Sequence, residues 1–236
     1  MKHAKVVLAV TAMLSLLLGC SADQPASKAP EVKTFEQKIG YVFGREIGQS
    51  FRETPAKIDL DAFMLGIQDG LNQRPSLLST EEEEKTKEEF SAKMQEEQSK
   101  RFAAQAEKNQ TDEDDFLAKN KSQPGVVTTA SGLQYEVLQE GSGAAIQQTD
   151  RVKVHYRGSL LDGTEFDSSY SRNQPAVFDV GGIIPGWTEG LQLMKVGGKY
   201  RLWVPSKLAY GARGAGKVIG PNTLLVFEVE PLEVVK

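Results

Sequence analysis

From Ser76 to Gln123 the chain contains neither proline nor glycine, and this uninterrupted stretch constrains the fold more than any other feature. It is dominated by Glu, Lys, Gln and Ala, all good helix formers. Thr80 and Glu83 have the spacing of a capping box, and Glu81 to Glu84 suit the positive end of a helix dipole. The pattern predicts a long helix over residues 79–123, and roughly 40 residues at 1.5 Å each would reach about 60 Å. Large apolar residues are sparse, chiefly Phe90, Met94, Phe102, Phe116 and Leu117, so the helix is polar nearly all round, of the kind that bridges domains. A disordered charged linker is the competing reading, and Thr111 to Asp115 is where a rod would fray. Pro124-Gly125 ends the element.

Before this rod, Phe35, Ile39, Val42, Phe43, Ile47 and Phe51 recur at helical spacing, with Gly40, Gly44 and Gly48 alongside. Each glycine inside a helix costs about 1 kcal/mol relative to alanine, so something must approach this helix closely. A second helix follows, with Leu60, Phe63, Met64, Ile67 and Leu71 on one face. The two helices could pack on each other within one chain. A second copy of the chain is the favoured partner, because two short helices bury too little surface to stand alone. Residues 35–78 are therefore read as a helical dimerisation domain.

At the N-terminus, Lys2, His3 and Lys5 precede an apolar run from Val6 to Leu18, which reads as a signal peptide over residues 1–19. The run is shorter than the roughly 20 residues needed to span a bilayer. Cys20 is the only cysteine, so an intramolecular disulfide is excluded. Leu17-Leu18-Gly19-Cys20 resembles the bacterial lipobox, which implies an acylated Cys20 and, with Ser21 next, an outer-membrane address on the periplasmic side. An ordinary signal peptide with a chance cysteine is the alternative. Residues 20–34, rich in Ser, Ala, Pro and Lys, read as a flexible tether.

After Gly125 the texture changes to short alternating runs: Leu133, Tyr135 and Val137; Val152, Val154 and Tyr156; Phe178 and Val180; Leu202 and Val204; Leu225, Phe227 and Val229. These predict half-buried antiparallel strands. One short helix fits among them, with Trp187, Leu191 and Met194 on a face and Gly197-Gly198 as its stop. The fold class is α+β: an all-helical arm and long connecting helix, then over residues 126–236 an antiparallel twisted sheet of about five strands wrapped around one short helix.

Five segments in this half carry a resemblance: Val154-His155-Tyr156-Arg157-Gly158, Gly163-Thr164-Glu165-Phe166-Asp167-Ser168-Ser169, Ile184-Pro185-Gly186-Trp187, Leu208-Ala209-Tyr210-Gly211 and Leu225-Val226-Phe227-Glu228-Val229-Glu230. In order and spacing they are similar to the motifs of FKBP-type peptidyl-prolyl cis-trans isomerases, and the helical half is similar to the arm of the Mip/FkpA subgroup. The resemblance implies a proline-binding pocket floored by Trp187 and walled by Tyr156, Phe166, Ile183, Ile184, Tyr210, Ile219 and Phe227. Asp167 would be its main polar group and Arg172 its neighbour. It also implies exported, unfolded or proline-containing polypeptides as clients, and macrolides such as rapamycin as inhibitors. Ala176 stands where small eukaryotic members carry phenylalanine, which implies a wider pocket. Chaperone activity from the dimeric arm is the second functional class.

The set makes chemical sense for that reaction. Peptide-bond rotation breaks no covalent bond, yet faces a barrier of about 18–20 kcal/mol because planarity preserves amide resonance. A dry aromatic slot suits the twisted, less polar transition state, and no nucleophile, cofactor or metal is called for. Each residue also has a plainer reading: Trp187 and Phe227 as core, Asp167 as a turn residue, Tyr156 and Arg172 as pins for that turn. His155 is the only histidine outside the leader, so a histidine-dependent hydrolase or histidine-built metal site is not expected. The formal net charge of -4, with charges interspersed, gives no basic face for nucleic acid.

Overall fold

A computed structural model describes residues 31–235. The leader at 1–19, Cys20 and most of the tether lie outside the described residues. The chain divides into two units at Glu53. The first holds helix α1 (Phe35–Glu53), whose apolar residues Phe35, Tyr41, Val42 and Phe43 are exposed.

The second unit begins with α2 (Leu60–Leu71), capped by Asp59, whose carboxylate accepts from the Ala62 N–H at 2.9 Å. No residue of α2 is buried, and Leu60, Met64, Leu65 and Leu71 all face solvent. Helix α3 (Thr80–Asn120) is unbroken over 41 residues. Its capping box lies one residue earlier than the sequence spacing predicts: Ser79 caps, and Glu82 closes the box by accepting from the Ser79 N–H at 2.8 Å. The stretch Thr111 to Asp115 does not fray, because Glu113, only 4% exposed, is packed against the following domain.

That domain is one antiparallel sheet: β1 (Val126–Thr128), β2 (Gln134–Gln139), β3 (Arg151–Ser159), β4 (Glu165–Ser168), β5 (Ala176–Asp179), β6 (Lys199–Val204) and β7 (Leu225–Val235). The order is β1-β2-β6-β7-β3-β4, with β5 also paired to β3. The sheet has seven strands rather than about five. The additional two, β1 and β4, are only three and four residues long and are not among the alternating runs read from the sequence. Along β3, Val152, Val154, Tyr156 and Gly158 are buried; along β7, Leu225, Phe227, Val229 and Pro231 are. Their shared face receives α4 (Pro185–Gln192) through Trp187 and Leu191.

Helix α4 ends at Gln192, before the Gly197-Gly198 stop expected from the sequence, so Met194 joins the core from the turn that follows. Gly190 lets the helix approach β6: a Cβ there would lie 2.7 Å from a Leu202 methyl. In β2 the burial pattern differs from the expected alternation. Gln134 is 2% exposed while Val137 faces solvent, because the end of α3 covers Gln134.

Candidate active site

A cavity of about 420 Å³ opens over α4, lined by Tyr156, Phe166, Asp167, Phe178, Gly182, Ile183, Ile184, Trp187, Tyr210 and Phe227. Trp187 sits at the centre of its aromatic frame. The rings of Tyr156, Phe178 and Phe227 meet it nearly edge-on, at centroid distances of 5.2, 5.4 and 5.2 Å. Phe166 meets Phe227 in the same way at 5.6 Å. Edge-to-face pairs are favoured by the ring quadrupoles, so each aromatic fixes its neighbours. The Trp187 indole N–H is buried with no partner among the described residues.

Sequence-distant elements build this frame. β3 supplies Tyr156, β4 supplies Phe166 and Asp167, and β7 supplies Phe227. Pro185 at the first turn of α4 pre-sets the helical φ and leaves Ile184 as the cap, which brings Trp187 over the sheet. Gly158 is required for close approach: it pairs with Phe227 across β3 and β7, and a Cβ at 158 would lie 2.7 Å from the Phe166 ring.

Asp167, Arg172 and Tyr156 form a closed triangle at one side of the cavity. The Tyr156 hydroxyl donates to one Asp167 oxygen, the Arg172 guanidinium donates to the other, and Arg172 also donates to the Tyr156 oxygen at 2.9 Å. Burial pushes the Asp167 carboxyl up, but the Tyr156 hydroxyl and Arg172 outweigh it and hold it below the usual carboxylate range. Burial, then the bond to Asp167, raises the Tyr156 phenol above its ordinary value. The site thus keeps a carboxylate and a neutral phenol across the middle of the pH scale.

Ser169, fully buried, locks the end of β4 to β3. It accepts from the Tyr156 N–H at 2.8 Å and bonds the His155 Nδ1 at 2.9 Å. His155 stacks on Tyr170 on the far side of the strand, away from the cavity face occupied by Tyr156. Neither the Ile184 N–H nor the Tyr210 hydroxyl donates to another described residue, which leaves both available to an acceptor brought into the cavity.

Two stretches that together cover most of the chain match family profiles: residues 143–232 match "FKBP-type peptidyl-prolyl cis-trans isomerase", and residues 36–137 match "Domain amino terminal to FKBP-type peptidyl-prolyl isomerase". A curated relative, the Aeromonas hydrophila "FKBP-type peptidyl-prolyl cis-trans isomerase FkpA", is 43% identical over 91% of this chain and 82% of its own. The chain belongs to the FKBP family of peptidyl-prolyl cis-trans isomerases. Within that family it is of the Mip/FkpA subgroup. "Outer membrane protein MIP" of Legionella longbeachae is 38% identical over 98% of this chain and 99% of its own. The crystal structure of FkpA from Escherichia coli superposes with a TM-score of 0.70 at 37% identity, covering 86% of this chain and 98% of that one.

Of the residues expected at the FKBP pocket, the structure brings together Tyr156, Phe166, Asp167, Ile183, Ile184, Trp187, Tyr210 and Phe227, with Arg172 behind Asp167. Ile219 is not among the residues that line the cavity: it is 8% exposed, bridged to Ala215, and packed in the core cluster that also holds Tyr156, Trp187 and Phe227. Sequence reasoning missed Phe178 as a wall. The signal was present in the Phe178 and Val180 alternation, but only the pairing of Phe178 with Val152 across β3 and β5 turns its ring toward Tyr156 and Trp187.

Proposed function

We propose that this FKBP accelerates rotation of Xaa-Pro bonds in exported polypeptides by holding the proline ring over Trp187. The aromatic frame around that ring is the observation that carries the reading. Xaa-Pro bonds alone populate cis appreciably and exchange slowly enough to limit folding, so an apolar slot of this size has a matching substrate. Tyr156, Phe166, Asp167, Trp187, Tyr210 and Phe227 would contact the reacting dipeptide. The Ile184 N–H or the Tyr210 hydroxyl would hold a substrate carbonyl.

At the twisted transition state the amide loses its charge separation. A water-poor aromatic cavity stabilises that state relative to the planar ground state. A rate gain of about 10⁵ requires a barrier lower by roughly 7 kcal/mol, which orientation and environment would share. The test is NMR exchange between cis and trans forms of an Xaa-Pro peptide. Fast exchange with the wild type that collapses in a folded Phe227→Ala, Asp167→Ala double variant supports the pocket, and unchanged exchange in that variant would sink it.

The export signal at 1–19 and an acylated Cys20 would place the protein on the periplasmic side of the envelope, anchored to the outer membrane. A relative that bears the name outer membrane protein agrees with that address. Mass measurement of the mature N-terminus tests the lipid. A homodimer through residues 35–78 would cover the apolar side chains that α1 and α2 expose. Paired arms could also grip unfolded clients, a chaperone contribution supported by those same exposed faces. Macrolides such as rapamycin would compete for the aromatic slot.

A further inference from the structure

The C-terminal third of α3 is joined to one segment of the FKBP domain at both of that segment's ends. At the near end, the Ser206 N–H donates to the Glu113 carboxylate at 2.7 Å, a bond spanning 93 residues of sequence. Ser206 opens a single 3₁₀ turn over Ser206–Leu208. At the far end, the Asn109 side-chain amide donates to the Pro221 carbonyl at 2.7 Å and to the Thr223 hydroxyl at 3.0 Å. The Asn222 amide reaches the Ala106 carbonyl at 3.4 Å. Between these ends lies Tyr210, the one wall of the cavity that is carried on a loop and not on a strand or on α4 with its lead-in.

We infer that Glu113 and Asn109 are positioning residues for the cavity: by holding both ends of the 206–223 segment they set the place of Tyr210. Neither residue lines the cavity. The connection runs through the backbone. The Ala209 N–H donates to Ser206 at 2.9 Å, Leu208 to Pro205 at 2.8 Å, and the Asn222 N–H to Gly211 at 2.9 Å. Tyr210 is therefore fixed from the Ser206 side by the short turn and from the Asn222 side by Gly211. It is itself 41% exposed, and no side-chain hydrogen bond to another described residue holds its hydroxyl.

The residues of α3 that make this junction, Ala106, Asn109, Glu113, Phe116, Leu117 and Asn120, are spaced three or four positions apart, except for the adjacent pair Phe116 and Leu117, and form one helical face. Phe116 meets Trp203 at 6.4 Å. Asn120 donates to Gln134 at 2.9 Å, and Gln134 in turn donates to the Leu117 carbonyl at 2.9 Å. The junction is thus mainly polar and directional. That chemistry fixes a register better than an apolar patch would, because each buried donor must find its own acceptor.

This inference rests on the reading that the cavity binds the proline substrate. The test uses the full chain with Glu113→Ala, Glu113→Gln, Asn109→Ala and Tyr210→Ala, and reads peptide isomerisation, thermal unfolding and amide hydrogen exchange. Glu113→Ala should lower kcat/KM about tenfold, as expected when a site group is displaced without being removed. It should also speed exchange selectively at Leu208, Ala209 and Asn222. Glu113→Gln retains a carbonyl oxygen for the Ser206 N–H and should restore both. In a Tyr210→Ala background Glu113→Ala should have little further effect, because the two act through one group.

An equal loss in the Tyr210→Ala background, or exchange at those three amides no faster than in the wild type, overturns the inference. If Glu113→Ala does not fold, Asn109→Ala carries the same test from the other end of the segment. Unchanged turnover in both Tyr210→Ala and Phe227→Ala would instead sink the cavity reading. That failure is recognisable because the exchange effect of Glu113→Ala would persist without any change in rate.

Discussion

Gly158 pairs with Phe227 across β3 and β7, and the missing side chain at 158 is the space into which the rings of Phe166 and Phe227 close. A Cβ there would stand 2.9 Å from the Phe227 ring. Gly158→Ala should therefore displace two cavity walls at once. We expect a stability loss of about 1–3 kcal/mol from overpacking, with kcat/KM reduced by more than that loss explains. Thermal unfolding and peptide isomerisation on one preparation separate the two effects, and an unchanged rate would show that the rings accommodate the methyl group.

The pH dependence follows from the triangle of Asp167, Arg172 and Tyr156. Asp167 has a folded pKa below its ordinary value, so its bonds contribute stability that is fully present above the unfolded pKa of about 3.9. That stability is lost as the pH falls through the lowered folded value. Tyr156 is raised, so it stays neutral past its ordinary range near pH 10. Turnover should be flat between about pH 5 and 9, with neither group changing charge. Arg172→Ala removes one of the partners that hold Asp167 down and should move the acid limb upward. A bell-shaped profile centred near neutrality in the wild type would contradict this.

Phe178 and Ile219 should behave oppositely. Phe178→Ala removes one of three rings that frame Trp187 and should lower kcat/KM about tenfold or more, because the slot loses a wall. Ile219→Val should cost about 0.5–1.5 kcal/mol of stability, the usual result of shortening a core side chain, and leave kcat/KM nearly unchanged. The reverse ranking in a side-by-side kinetic comparison would return Ile219 to the cavity.

Asn120 and Gln134 form a buried amide pair at the end of α3. Asn120→Ala leaves the Gln134 carbonyl oxygen without its donor and should lower stability by about 1–3 kcal/mol. Denaturant unfolding checks this. A loss below about 0.5 kcal/mol would mean that solvent reaches Gln134 once the amide is gone.

Burial pushes the Glu113 carboxyl up, against the Ser206 N–H that lowers it. An acid whose folded pKa is raised loses stability as the pH rises from the unfolded value through the folded one. Glu113→Gln removes that penalty while retaining an acceptor, so the variant should be at least as stable as the wild type at pH 7. Its advantage should vanish near pH 4. A variant less stable than the wild type at neutral pH would mean that the negative charge itself, and not only the acceptor, is needed at this position.

The helices, most of the strands and the order of the pocket motifs were legible in the sequence, because their signals are local. The absence of glycine and proline from Ser76 to Gln123, the alternation in β3 and β7, and Pro185 before Trp187 each act within a few residues of their own position. The capping box was misplaced by one residue because Ser79 and Thr80 carry the same chemistry and each has a glutamate three positions on. Phe178, Ile219 and Glu113 depended on something else. Whether an aromatic or aliphatic side chain lines a cavity or fills a core is set by which strand lies beside it. Whether a glutamate on a polar helix faces water or a backbone N–H 93 residues away is set by the docking of the whole helix. Local patterning determined the elements and their amphipathic faces, whereas only tertiary packing decided which of those faces met, since contacts between distant residues leave no periodicity in the chain that makes them.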